Sequence, residues 1–149
     1  MSTSTDGILF YGFLIDEDSE LSEKLSSLGD DIDEDDENAP LAEEPSDVVA
    51  KLYGWDGKSP QYDFEWEREH PSPITIGMHC SDSCPMYYIA IKASEVVASR
   101  GYPEKITMQV QPGWDGVLND FFQRLYKRFQ LEPPAEPVVL GWYLVSWWG

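Results

Sequence analysis

Gly7 to Ile15 reads GILFYGFLI, apolar at odd and even positions alike, the pattern of a central strand buried on both faces. Behind a capping Asp18 or Ser19, Leu21, Leu25 and Leu28 recur at helical spacing, with acids in the first turn and Gly29 just past the end. This predicts a short helix from Ser19 to Leu28. Ser46 caps a second predicted helix, Asp47 to Tyr53, ended by Gly54. Residues 55–73 are turn-rich with scattered aromatics and read as loop, with a short edge strand at Tyr62 to Trp66. ITIGMHC and MYYIAIK, two β-branched and aromatic runs separated by SDSCP, predict an antiparallel hairpin with a loop of four or five residues. Ser94 caps a predicted short helix, EVVASR, that Gly101 ends. Glu104 to Gln111 alternates Ile106, Met108 and Val110 with polar neighbours, as a strand with one wet face does.

The strongest periodicity lies further on. Trp114, Val117, Leu118, Phe121, Phe122, Leu125, Tyr126 and Phe129 share one stripe of a helix running from about Asp115 to Gln130. Arg124, Lys127 and Arg128 stand in its last turns, where cations favour the negative end of the helix dipole, and EPPAEP stops it. VVLGWYLVSWWG closes the chain as a second central strand. The order of elements predicts one α+β domain over residues 1–149. Its sheet is expected to be mixed or antiparallel with five to six strands, and a long C-terminal amphipathic helix packs on one face.

Charge changes this picture at one place. Residues 16–47 hold fifteen acids against Lys24 and so carry fourteen of the eighteen net negative charges, while the other 117 residues are close to balanced. Within this stretch, 30–45 offers little to bury and repels itself, so a loosely ordered acidic loop is expected there. A negative field of this size repels nucleic acid and anionic membrane and steers the molecule toward basic surfaces. No run approaches the roughly 18 to 20 apolar residues of a membrane span. MSTSTDG has neither the basic head nor the apolar core of a signal peptide, so a cytoplasmic protein is expected.

Candidate chemistry is sparse. Asp31, Asp33 and Asp35 alternate as in a calcium loop, but Asp36 stands where that loop requires glycine and Ala42 where it requires a glutamate. His79, Cys80 and Cys84, with His70 upstream, are zinc-ligating types. HCxxxC is not a zinc spacing, however, and neighbours on a strand point to opposite faces. The same geometry argues against a Cys80 nucleophile served by His79. No phosphate-binding glycine loop is present, and neither cofactor nor metal is expected. Gly-Trp-Asp-Gly occurs at 54–57 and again at 113–116, both at predicted element boundaries, where it suits a turn or cap.

STSTDGILFYG at the start, HCSDSCPMYYIAIK in the hairpin and LVSWWG at the end resemble a family of small acidic uncharacterised proteins of bacteria and their phages. The family's pattern has a glycine in the loop after HCS, where this chain has Asp82. The resemblance implies a single domain and a phage-related setting, and it carries no activity and no functional residue.

These observations lead to an expectation of a non-enzymatic acidic binding protein, a DNA mimic that inhibits a host nucleic-acid-binding protein of defence or repair. Duplex DNA presents one charge per roughly 1.7 Å of axis, and Lys and Arg that grip phosphates also grip spaced carboxylates. The acidic face would comprise Asp16, Glu17, Asp18, Glu20, Glu23, Asp30, Asp31, Asp33, Glu34, Asp35, Asp36, Glu37, Glu43 and Glu44. The expected partner is a basic protein surface, with no direct contact to nucleic acid or membrane. The alternative is an accessory interaction domain that uses its aromatic surface, including Trp147 and Trp148, with the acidic loop only solubilising it. A small enzyme built on His79 is a third class.

Overall fold

The computed structural model describes residues 5–30, 35, 37–38 and 42–148. In chain order the elements are β1 (Thr5–Leu14), α1 (Glu20–Ser26), α2 (Pro45–Leu52), α3 (Asp63–Glu69), β2 (Ile74–Ser81), β3 (Cys84–Ile91), a 3-10 turn (Lys92–Ser94), β4 (Val96–Ala98), α4 (Trp114–Arg128) and β5 (Gly141–Trp148). The class is α+β, with a five-stranded mixed sheet.

The double-sided apolar run of β1 makes it the centre of the sheet. Along one edge β1 pairs antiparallel with β5 from Thr5↔Trp148 to Gly12↔Gly141. Along the other edge it meets β4 at residues 7–9 and β3 at residues 12–14. Between those two stretches the Lys92–Ser94 turn inserts three residues, and on this edge Tyr11 is left with no strand opposite it. Its N–H donates instead to the Ser94 hydroxyl at 2.8 Å, which in turn donates to the Ile91 carbonyl at 2.6 Å. Ser94 is buried, so the bond replaces a missing rung of the ladder.

β2 and β3 form the expected antiparallel hairpin, but in register from Ile74↔Ile91 to Ser81↔Cys84. Only Asp82 and Ser83 are left as loop, shorter than predicted. β2 then pairs parallel with β5 at Cys80↔Trp147 and Ser81↔Trp148. The pairings β1–β5, β5–β2, β2–β3 and β3–β1 therefore run in a ring. Backbones come close at Gly12, where a Cβ would lie 1.9 Å from the Ile89 carbonyl oxygen, so only glycine fits at this closure.

The two faces of the sheet are covered differently. On one, Tyr11, Phe13, Ile74, Ile76, Tyr87, Ile89 and Ile91 pack against Leu21 and Leu25 of α1, Val48 and Val49 of α2, and Leu118, Phe121, Phe122 and Leu125 of α4. The opposite face holds a smaller cluster of Ile8, Phe10, Tyr88 and Ala90. There Phe10 is stacked on Tyr88 at 4.1 Å and Tyr143 at 5.8 Å. Tyr88 lies over Gly77, where a Cβ would come within 2.1 Å of its ring.

Several expectations are corrected. The long helix is not C-terminal, because β5 follows it and is the last element. Residues 63–69 form α3 and not an edge strand; none of its residues is buried, so it shows no apolar stripe to read. Residues 96–98 form β4 in place of a helix, since Val96 and Val97 continue the pairing to β1 and Ser94 caps no helix. Residues 104–111 form no strand: nothing among the described residues pairs with them, and Ile106, Met108 and Val110 are 46%, 54% and 44% exposed. The second helix begins at Pro45, capped by Glu44 and not Ser46. At Cys80 the backbone takes a left-handed φ of 77°, a departure from regular strand geometry.

Candidate functional site

The carboxylates at 16–23 are carried by a fixed turn and the helix that follows it. The Asp18 N–H donates to Asp16 Oδ1 at 3.0 Å, the Ser19 hydroxyl to the Asp16 carbonyl at 2.6 Å, and the Ser22 N–H to Ser19 Oγ at 3.2 Å. Leu21 and Leu25 are buried and anchor α1 to the core. Asp16, Glu17, Asp18, Glu20 and Glu23 are all exposed. Acids at the start of a helix are also held favourably by its positive end.

A cleft of about 500 Å³ borders this turn. Phe13, Leu14, Ile15, Leu21, Phe122 and Tyr126 supply much of its apolar wall, and Asp16, Ser19 and Glu136 also line it. An apolar cleft edged by carboxylates suits a side chain that joins an apolar body to a cationic head, as Lys and Arg do.

The remaining predicted acids divide into three groups. Asp30, Asp35 and Glu37 are exposed. Asp31, Asp33, Glu34 and Asp36 lie outside the described residues, as does most of the predicted loose loop. Glu43 and Glu44 close the segment differently: the Glu43 carboxylate pairs with Lys51 at 2.8 Å and with Arg128, whereas Glu44 is exposed and its backbone N–H donates to Asp47 Oδ2 at 2.8 Å across the first turn of α2. The ends of the acidic segment are close together, since a Cβ on Gly29 would lie 2.8 Å from that of Ala42.

His79 is half-buried, its pKa is lowered by that burial, and its ring stands 6.3 Å from that of Tyr88. Cys80 is half-buried and Cys84 exposed, both as free thiols. His70 is exposed and stacked on Trp66 at 4.7 Å. Among the described residues no three His, Cys, Asp or Glu side chains converge as a metal site would require. No helix among them is long and apolar enough to cross a membrane.

Two tyrosine–carboxylate pairs have no signal in the sequence. Tyr11 donates to Asp115 Oδ1 at 2.6 Å, and this bond, followed by burial, pushes the phenol up to about 12. Tyr88 donates to Glu95 at 2.7 Å, and burial first, then that bond, raises its pKa further still. Both phenols stay protonated as hydrogen-bond donors that tie β1 to α4 and β3 to the chain beyond the 3-10 turn. The partners in the first pair are 104 residues apart, which local pattern cannot reveal.

The two Gly-Trp-Asp-Gly copies share only a left-handed first glycine, φ 114° at Gly54 and 90° at Gly113. In the first, Trp55 is buried and Asp56 Oδ1 accepts the N–H groups of Lys58 and Ser59, which lowers its pKa. In the second, Gly113 caps α4 with a φ of 90° and Asp115 stands in the first helical turn.

Comparison of the chain with family models, with curated proteins and with solved structures finds no match.

Proposed function

We propose that this protein is a non-enzymatic acidic binding protein that presents carboxylates to the basic surface of a nucleic-acid-binding protein and blocks it as a DNA mimic. The observation that carries the reading is the exposed run Asp16, Glu17, Asp18, Glu20 and Glu23, held on a hydrogen-bonded turn beside an apolar cleft. A fixed array of acids costs less to order on binding than a loose tail, and the cleft gives a partner's Arg or Lys stem somewhere to pack. Glu43 contributes little, because its carboxylate is already paired with Lys51 and Arg128. The phage-related setting that the resemblance implies suits such an inhibitor.

The test is capture of host proteins on the immobilised chain at about 50 and 200 mM salt, with duplex DNA as competitor. Captured proteins should bind DNA, be displaced by it, and release steeply as salt rises. A variant with Glu17, Glu20 and Glu23 replaced by Gln should lose at least about tenfold in affinity. Salt-insensitive capture, or capture unchanged in that variant, sinks the proposal. The second of these outcomes would favour recognition through the exposed apolar surface at Leu144 and Trp148, which are 75% and 57% exposed.

A further inference from the structure

Residues 104–111 are strand-like in pattern, belong to no helix or strand, and have no strand partner among the described residues. No backbone hydrogen bond joins residues 104–110 to the rest of the described chain. Pro103 and Pro112, which lack an N–H, bracket the eight residues and delimit a segment able to form a ladder. Ile106 to Gln111, ITMQVQ, is uncharged, without Gly or Pro, and its three apolar side chains are each about half exposed. An exposed run of this kind is a template for pairing with another strand.

We infer that this segment pairs antiparallel with the same segment of a second copy of the chain, forming a two-fold symmetric ribbon. The polarity of residues 106–110 supports this occupant, because apolar, polar, apolar, polar, apolar reads the same in both directions. With the two-fold axis at Met108, Ile106 faces Val110, Thr107 faces Gln109 and Met108 faces itself, so apolar side chains of both copies share one face. Shifting the register by one sets Ile106 against Gln109 and destroys the match. Charge supports it too. In a chain of net charge −18, the stretch 96–112 carries one acid, Glu104, against Arg100 and Lys105, so two copies meet there with little repulsion. Lys105 falls opposite Gln111 and not opposite its own copy. A ribbon of this length is small beside the roughly 1,200–2,000 Å² of a standard interface, so the dimer is weak and concentration-dependent.

Sedimentation equilibrium of the full chain from micromolar to millimolar concentration tests the inference. The expected result is a reversible dimer whose association strengthens as salt screens the net charge, opposite to the salt dependence of binding a basic partner. Met108→Lys places two cations across the axis and should weaken association at least about tenfold, while Thr107→Lys, on the other face, leaves a dimer. Circular dichroism checks that both variants keep the fold, as expected for an exposed segment. A monomer throughout the range overturns the inference, as does a dimer that Met108→Lys leaves intact.

Discussion

At the scale of single residues, Ser94 shows how one hydroxyl holds a sheet together across a defect. Local pattern reads Ser94 as a helix cap, since Ser favours that role and EVVASR follows it. The structure spends it on Tyr11, 83 residues away, where the Lys92–Ser94 insertion has removed the natural ladder partner. Nothing in the local sequence signals that need, which arises only once β1 has two partners on one edge. Ser94→Ala leaves the buried Tyr11 N–H unpaired and should destabilise the fold by about 1–3 kcal/mol. Urea unfolding followed by tryptophan fluorescence measures it, and an unchanged midpoint would mean that another group or water serves Tyr11. The acids divide along similar lines. Their number is plain in the sequence, but which of them are free is not, because Arg128, which balances Glu43, lies 85 residues downstream.

At the scale of elements, legibility follows burial. β1, the hairpin, α1 and α4 each bury a face, so their apolar spacing reports their structure directly, while β5, with one half-buried and one exposed face, is read from its apolar run alone. α3 buries nothing and β4 has three residues, so neither leaves a periodic trace. Residues 104–111 have a strand's pattern without a strand's pairing, because alternation sets which side chains share a face and pairing requires an available edge. Two glycines within strands show how tightly the ring is closed. At Gly12 the obstacle to a Cβ is the backbone of Ile89 and Ala90; at Gly77 it is the Tyr88 ring, stacked on Phe10 and bonded to Glu95. A ring can shift where a strand in register cannot. Gly77→Ala should therefore cost about 1–3 kcal/mol, and Gly12→Ala more, with loss of folded protein on expression. Equal costs for the two would show that the closure between β1 and β3 is softer than its backbone distance indicates.

At the scale of the whole molecule, two electrostatic effects of opposite sign compete. Ion pairs on Glu43, Glu67 and Asp120 favour the fold, but their side chains are all partly exposed, and such pairs contribute only about 0–1 kcal/mol each. Against them stands a net charge of −18 on a chain of 149 residues, which is compressed when the chain folds. The Debye length falls from about 30 Å at 0.01 M to about 8 Å at 0.15 M salt, so screening acts on the long-range repulsion more than on contacts of a few ångströms. Repulsion therefore dominates, and the urea midpoint should rise across that range; a flat or falling midpoint would give the ion pairs the larger share. The sign also bears on the proposed function. Salt that strengthens the fold while weakening capture of a basic partner acts on the contact between the two molecules and not on the folding of this one. Measured together, the two salt dependences separate loss of carboxylate contacts from loss of structure.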